Sequence, residues 1–186
     1  MKIVAIRVAT VLLFLWLLTV NAYALSPARP RPLPPLPELD YTESEINMIA
    51  NVVNGEVGGI CGTVTIYYAS GETVEADGQT LRRIHARVVD NQVHSELFPD
   101  SLRTCISWYW SDRYTATGWR SVAQWQHCRN DVLMALYGLI EVPENVLAAT
   151  CDAHFAERYT GYALWAKVKW DTGWTHGTFY YYAWEG

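Results

Sequence analysis

Ala50-Asn51-Val52-Val53-Asn54-Gly55-Glu56 is the stretch whose reading decides the fold. Eight residues upstream of it, Thr42-Glu43-Ser44-Glu45 has the S/T-x-x-E spacing of a capping box, which starts a helix at Thr42. Ile46, Ile49, Ala50 and Val53 recur at i, i+3, i+4 and i+7, so that helix has one buried face. Gly55 is expected to break it, because glycine accepts backbone turns that other residues resist. Glu56 then sits just past the helix end. A carboxyl group in such a place meets the negative pole of the helix and apolar neighbours, and both favour the protonated form. That is the form general-acid catalysis uses. A solvated surface glutamate is the plain alternative.

Downstream the periodicity changes. After Gly58-Gly59, Thr63 to Tyr68 alternates with period two, Ser70-Gly71 signals a turn, and Thr73 to Asp77 alternates again. This predicts a β-hairpin directly after the candidate acid. A second helix is expected from Thr80 to Val93 with Leu81, Ile84, Val88 and His85 inward. Leu102, Cys105, Ile106 and Tyr109 predict a third, running into an aromatic cluster of Trp108, Trp110 and Tyr114. A fourth spans Val122 to Ile140 and stops before Pro143. Leu164 to Trp170 and Thr178 to Trp184 read as a closing pair of strands around Asp171-Thr172-Gly173. Together these elements predict an α+β, predominantly helical domain with a β-hairpin after the first helix and C-terminal strands.

The chain divides before this domain begins. Lys2 and Arg7, the apolar run Val8 to Val20 and Ala22-Tyr23-Ala24 have the order of a secretory signal peptide over residues 1–24. The run is 13 residues, short of the roughly 20 needed to span a bilayer, so membrane contact is expected only if the leader is retained. Residues 25–39 hold six of the eight prolines and read as an extended linker, leaving 40–186 as one domain. The formal charge is −5 before the leader's positive charges are removed, and an acidic chain is a poor grip for nucleic acid. The expected product is a secreted or cell-envelope monomer. Cys61, Cys105, Cys128 and Cys151 in an exported chain predict two disulfides, with Cys105–Cys128 and Cys61–Cys151 the favoured pairing of three. No C-x-x-C pair supports a structural zinc site.

The motifs resemble those of the SleB-like cell wall hydrolases, the spore-cortex-lytic family, over roughly Tyr41 to Tyr182. Ile49 to Glu56 is similar to the family's helix ending in its catalytic Glu. Val88-Val89-Asp90-Asn91-Gln92-Val93 resembles its V-x-x-N-R-V helix, followed by Phe98-Pro99. Leu136-Tyr137-Gly138 resembles its L-x-G segment, and Phe179-Tyr180 its closing H-x-F-Y. The chain departs from the pattern at Gln92 for Arg, Val57 for Ala, and Gly177 for His with His176 one place off.

The resemblance implies a lysozyme-like domain that cleaves the glycan strands of peptidoglycan. Glu56 would be the catalytic acid and base, Trp110 and Tyr180 would bind substrate, and neither metal nor cofactor would be needed. Two carboxylates are usual in glycoside hydrolysis, and Glu72, Glu75 and Asp77 read as solvated hairpin charges. A lytic transglycosylase needs one carboxyl group, which first protonates the leaving oxygen and then deprotonates the muramic C6 hydroxyl. Two alternatives stand beside this reading. One is a glycan-binding module without catalysis. The other is a zinc hydrolase built from Asp152 and His154 with His85 or His176.

Overall fold

Thr42 opens helix α1, Glu43–Glu56, through the expected capping box: its Oγ1 accepts from the Glu45 N–H, and Glu45 Oε2 accepts from the Thr42 N–H at 2.8 Å. The computed structural model describes residues 37–116, 123–173 and 175–186. The signal peptide and most of the proline-rich linker lie outside them. Leu39 and Tyr41 already pack against the core. Among the described residues no helix is long and apolar enough to cross a membrane.

Gly55 does not break α1. The helix runs through it to Glu56, and the Val57 N–H closes the last turn on the Val53 carbonyl at 3.0 Å. A glycine inside a helix costs about 1 kcal/mol relative to alanine, so its presence needs another cause. A Cβ on Gly55 would stand 2.3 Å from a ring carbon of Tyr114. The missing side chain makes room for that ring.

Strands β1 (Thr63–Tyr68) and β2 (Thr73–Asp77) form the expected hairpin. Helix α2 follows without a gap as Gly78–Val93, two residues earlier than Thr80, because Asp77 ends the strand and caps the helix. Its Oδ1 accepts from the Thr80 N–H and hydroxyl. The third helix is α only over Leu102–Cys105 (α3) and continues as a π-helical turn, Ile106–Trp110. A 3-10 turn, Asp112–Thr115, comes next. Helix α4 is Ala123–Leu136, ending before Ile140 where Gly138 takes a left-handed conformation. Strand β3, Val146–Thr150, was not anticipated. A short helix α5, Phe155–Arg158, precedes β4, Tyr162–Asp171, and β5, His176–Trp184.

All five strands make one antiparallel sheet in the order β2-β1-β4-β5-β3, so the early hairpin and the C-terminal strands are one element. The fold is therefore α+β. One face of the sheet carries Ile66, Val168, Phe179 and Tyr181 into the core, where they meet Leu81, Ile84 and Val88 of α2. Helices α1, α2 and α4 supply the rest of that core. Arg82 on α2 and Asp131 on α4 form a buried ion pair at 2.6 Å, and Arg82 Nη1 donates to the Ile60 carbonyl at 3.1 Å.

The four cysteines are unpaired. Cys128 faces the main core and donates weakly to Asn54 Oδ1 at 3.7 Å, whereas Cys105 packs with Phe98 and Leu147 in a separate cluster. The favoured Cys105–Cys128 pairing therefore has no basis in the packing. Burial pushes the Cys105 thiol up to about 12 and the Cys128 thiol up to about 11. Cys61 and Cys151 are exposed and likewise free.

Candidate active site

Asn47, Asn51 and Asn54 recur at i, i+4 and i+7 on α1, all buried, and they bind its site-bearing end to α4. Asn47 Oδ1 accepts from Arg129 Nε at 3.2 Å, Asn51 Oδ1 from Trp125 Nε1 at 2.8 Å, and Asn54 from Cys128. Asn51 also donates its amide to the carbonyls of Tyr114 and Ala116, at 2.9 and 2.8 Å. One buried amide thus ties α1, α4 and the 3-10 turn together. Unpaired, those groups would each cost about 1–3 kcal/mol.

The 3-10 turn that Asn51 holds presents Tyr114 to Glu56. The ring passes over Gly55, and the hydroxyl donates to Glu56 Oε1 at 2.5 Å. Arg113 lies with its guanidinium carbon 4.6 Å from the Tyr114 ring centroid, hydrogen-bonds the Tyr114 hydroxyl, and reaches to 3.9 Å from Glu56 Oε1. Burial and the hydrogen bond to Glu56 push the Tyr114 hydroxyl up to about 12, so it is a proton donor at neutral pH. The Glu56 side chain is 28% exposed, enough for a ligand to reach it. Cys151, just past β3, is close enough that burial and then the Glu56 charge raise its thiol.

Glu56 is thus the last residue of α1 instead of lying beyond it, and it has the partners a positioned carboxyl requires. Trp110 stands among aromatic neighbours. Its Nε1 donates to Gln92 Oε1 at 2.8 Å, and its ring meets those of His85 and Tyr109 at 5.1 and 4.9 Å. Gln92, fully buried, passes the connection to the Leu147 carbonyl at 2.7 Å. Tyr180 lies on the face of the sheet turned away from the core, stacked near Tyr182 at 6.5 Å. Among the described residues neither nominee hydrogen-bonds Glu56. Sequence reasoning missed Tyr114, Arg113 and Asn51 as site residues, although the asparagine spacing on α1 carried a signal for the last.

The hairpin carboxylates have other work. Asp77 caps α2, and Glu75 Oε1 accepts from the Thr65 hydroxyl at 2.8 Å. The zinc alternative lacks a converging ligand set. His154 Nδ1 meets Glu157 at 3.0 Å, and its N–H donates to Asp152. His85 is buried elsewhere, its Nδ1 2.8 Å from the Tyr181 hydroxyl, and burial lowers it to about 3. Among the described residues no three His, Cys, Asp or Glu side chains come close enough to hold a metal ion.

A cavity of about 480 Å³ bordered by Arg87, Asp90, His94, Glu144 and Trp184 shares no residue with this site. Within it Asp90 pairs with Arg87 and accepts from Tyr41 at 2.7 Å. It is a polar seam between α2, the loop that leads into β3 and the end of β5. Comparison with protein-family models, curated proteins and solved structures gave no match.

Proposed function

We propose that this protein cleaves the glycan strands of peptidoglycan, with Glu56 as general acid and then general base. The observation that carries the reading is the carboxyl group at the end of α1, partly open to solvent and oriented by the Tyr114 hydroxyl at 2.5 Å. The order of helix, acid and hairpin supports a lysozyme-like, SleB-like assignment. The leader motif supports action outside the cytoplasm, as a secreted or cell-envelope protein.

Tyr114 occupies Oε1, which leaves Oε2 to hold the proton and face the scissile bond. Glu56 gives that proton to the glycosidic oxygen as the bond to muramic C1 breaks. The resulting carboxylate takes the proton of the C6 hydroxyl, whose oxygen closes on C1. The product is a 1,6-anhydro end, the leaving sugar has gained a hydroxyl proton, and Glu56 is protonated again. No water is consumed and no second carboxylate is needed. The Arg113 charge near Oε1 stabilises the intermediate carboxylate.

A second reading has its own observation: the Glu56 carboxyl is already engaged by Tyr114, as in a structural contact. In that case the domain binds glycan without cleaving it. Digestion of purified peptidoglycan, with mass spectrometry of the products, separates the two. The wild type is expected to release anhydro-ended fragments. Glu56→Gln, which keeps the shape but has no proton to deliver, should lose about 10²–10⁴-fold in rate while melting as before. Reducing muramic ends point to hydrolysis and remove the transglycosylase step. Binding without release by the wild type selects the second reading, and full activity in Glu56→Gln overturns the role of Glu56.

A further inference from the structure

The domain has only two lysines after the leader, and they lie two residues apart on one strand. Lys167 and Lys169 are on β4, and the third lysine of the chain is Lys2. Their neighbours across the sheet follow from the register. Thr73 of β2 opposes Tyr67 of β1, Tyr67 opposes Lys167, Lys167 opposes Tyr180 of β5, and Tyr180 opposes Thr150 of β3. Directly opposed residues project to the same side of a sheet, so these five make one row across all five strands. The intervening residues, Ile66, Val168 and Phe179, are the ones buried in the core, so the row lies on the outer face. Four inter-strand spacings make it about 19 Å long. Both ammonium groups stand over the Tyr67 ring, Lys167 Nζ at 4.9 Å and Lys169 Nζ at 5.6 Å from its centroid.

Other parts of this face are already used. Phe155 of α5 packs on Tyr182 at 5.2 Å and covers the end beyond Tyr180. On the same face Asp171 lies two residues along β4 from Lys169 and accepts from the Gly173 N–H, and Glu75, two strands away in the Lys169 row, is turned to the Thr65 hydroxyl. What remains is a strip of two half-buried tyrosines, the half-buried Lys167 and the exposed Lys169, on a protein whose formal charge is −5. Lysines concentrated on one face of an acidic chain select an anionic partner. Tyrosine faces in the same strip offer broad apolar area with a polar tip, suited to pyranose rings. The row ends at Thr150, beside Cys151, the residue whose thiol feels the Glu56 charge.

We infer that the outer row Tyr67–Lys167–Tyr180, with Lys169 beside it, is a second binding surface that holds an extended anionic glycan strand apart from the point of cleavage. The proposal rests on the peptidoglycan reading above for the identity of the strand. The Tyr180 ring packs on a sugar, and the ammonium groups held over Tyr67 meet carboxylates of the attached peptides. It gives Tyr180 a place in recognition away from the acid itself.

The test uses the full chain carrying Glu56→Gln, so that bound strands stay intact, and measures co-sedimentation with purified sacculi at low and high salt. Lys167→Gln with Lys169→Gln should reduce the affinity about tenfold at low salt and abolish most of its salt dependence. Tyr67→Ala should weaken binding at both salt concentrations, and Lys167→Arg with Lys169→Arg should retain it. With Glu56 intact, the double Gln variant should still cleave short soluble glycan fragments at the wild-type rate. Unchanged sacculus binding in the double Gln variant overturns the proposal. So does a loss confined to anionic lipid vesicles, which would mark a membrane surface. If Glu56 proves dispensable for cleavage while the strip variants still lose sacculus binding, the surface stands and the catalytic reading falls.

Discussion

Tyr114 lies with its ring against Gly55 and its hydroxyl on Glu56, so a single side chain accounts for the glycine in the helix and orients the Glu56 carboxyl. Removing only its hydroxyl isolates the second role. Tyr114→Phe keeps the ring over Gly55 but deprives Glu56 Oε1 of its donor. Hydrogen bonds to charged groups are worth about 1.5–3 kcal/mol, which corresponds to roughly ten- to a hundredfold in rate if the bond matters in the transition state. The variant should therefore cleave peptidoglycan more slowly by that factor, while its affinity for sacculi is unchanged. A Tyr114→Phe variant as active as the wild type would assign the contact to folding alone. At this scale the sequence singled out Glu56 and hid its hydrogen-bond partner. Glu56 stands in a local motif, but Tyr114 is 58 residues away, and no short-range spacing reports a contact made by tertiary folding.

Between elements, the buried pair Arg82–Asp131 locks α2 to α4 and, through the Ile60 carbonyl, to the loop that follows Glu56. Asp131 also receives Arg83 Nε at 3.3 Å. Asp131→Ala would leave the Arg82 guanidinium buried without a counter-charge, a change that costs about 3–5 kcal/mol in comparable cases. For a domain of this length the melting temperature should fall by roughly 10 °C, readable by circular dichroism. A fall of only a degree or two would mean that Arg82 escapes to solvent when its partner is lost.

Elements with strong local grammar were legible in advance. The Thr42–Glu45 box and the alternation in Thr63–Tyr68 each have a local physical cause. Two were not. Val-Leu-Ala-Ala-Thr over 146–150 is buried on both faces except at Thr150, so it has no alternation to read. Gly55 reads as a helix breaker in sequence because a glycine that admits a ring through space has the same letter as one that turns the chain. The joining of the hairpin to the C-terminal strands also escaped notice, since strand partners are not specified by either strand alone.

For the molecule as a whole, His85 links the helical layer to the sheet and sets how the fold responds to acid. It is fully buried among Trp110, Phe179 and Tyr181, and burial lowers it to about 3 from an ordinary value near 6.5. The unfolded chain therefore binds a proton below pH 6.5 that the folded chain refuses until about pH 3. Stability is fully present above that upper value and declines as pH falls through the window, by up to about 1.4 kcal/mol per pH unit. Urea denaturation at pH 7 and pH 4.5 should differ by about 2–3 kcal/mol from this group. His85→Asn, which keeps a polar atom toward the Tyr181 hydroxyl, should be less stable at pH 7 but show a flatter profile. An equally steep profile in that variant would move the acid sensitivity to the carboxylates.

The sheet order β2-β1-β4-β5-β3 has a consequence for the time course of folding. β1 is an inner strand whose second neighbour, β4, follows about a hundred residues later, with Val64 opposite Trp170. Closing so long a loop is entropically costly, and pairings of high sequence separation form late. The β1–β2 hairpin by itself is marginal. The chain must therefore carry an unfinished strand edge through most of its folding, until Tyr162–Asp171 docks beside it. The helix bearing Glu56 can consolidate against α4 before then, whereas the lysine–tyrosine row comes into existence only at the final pairing.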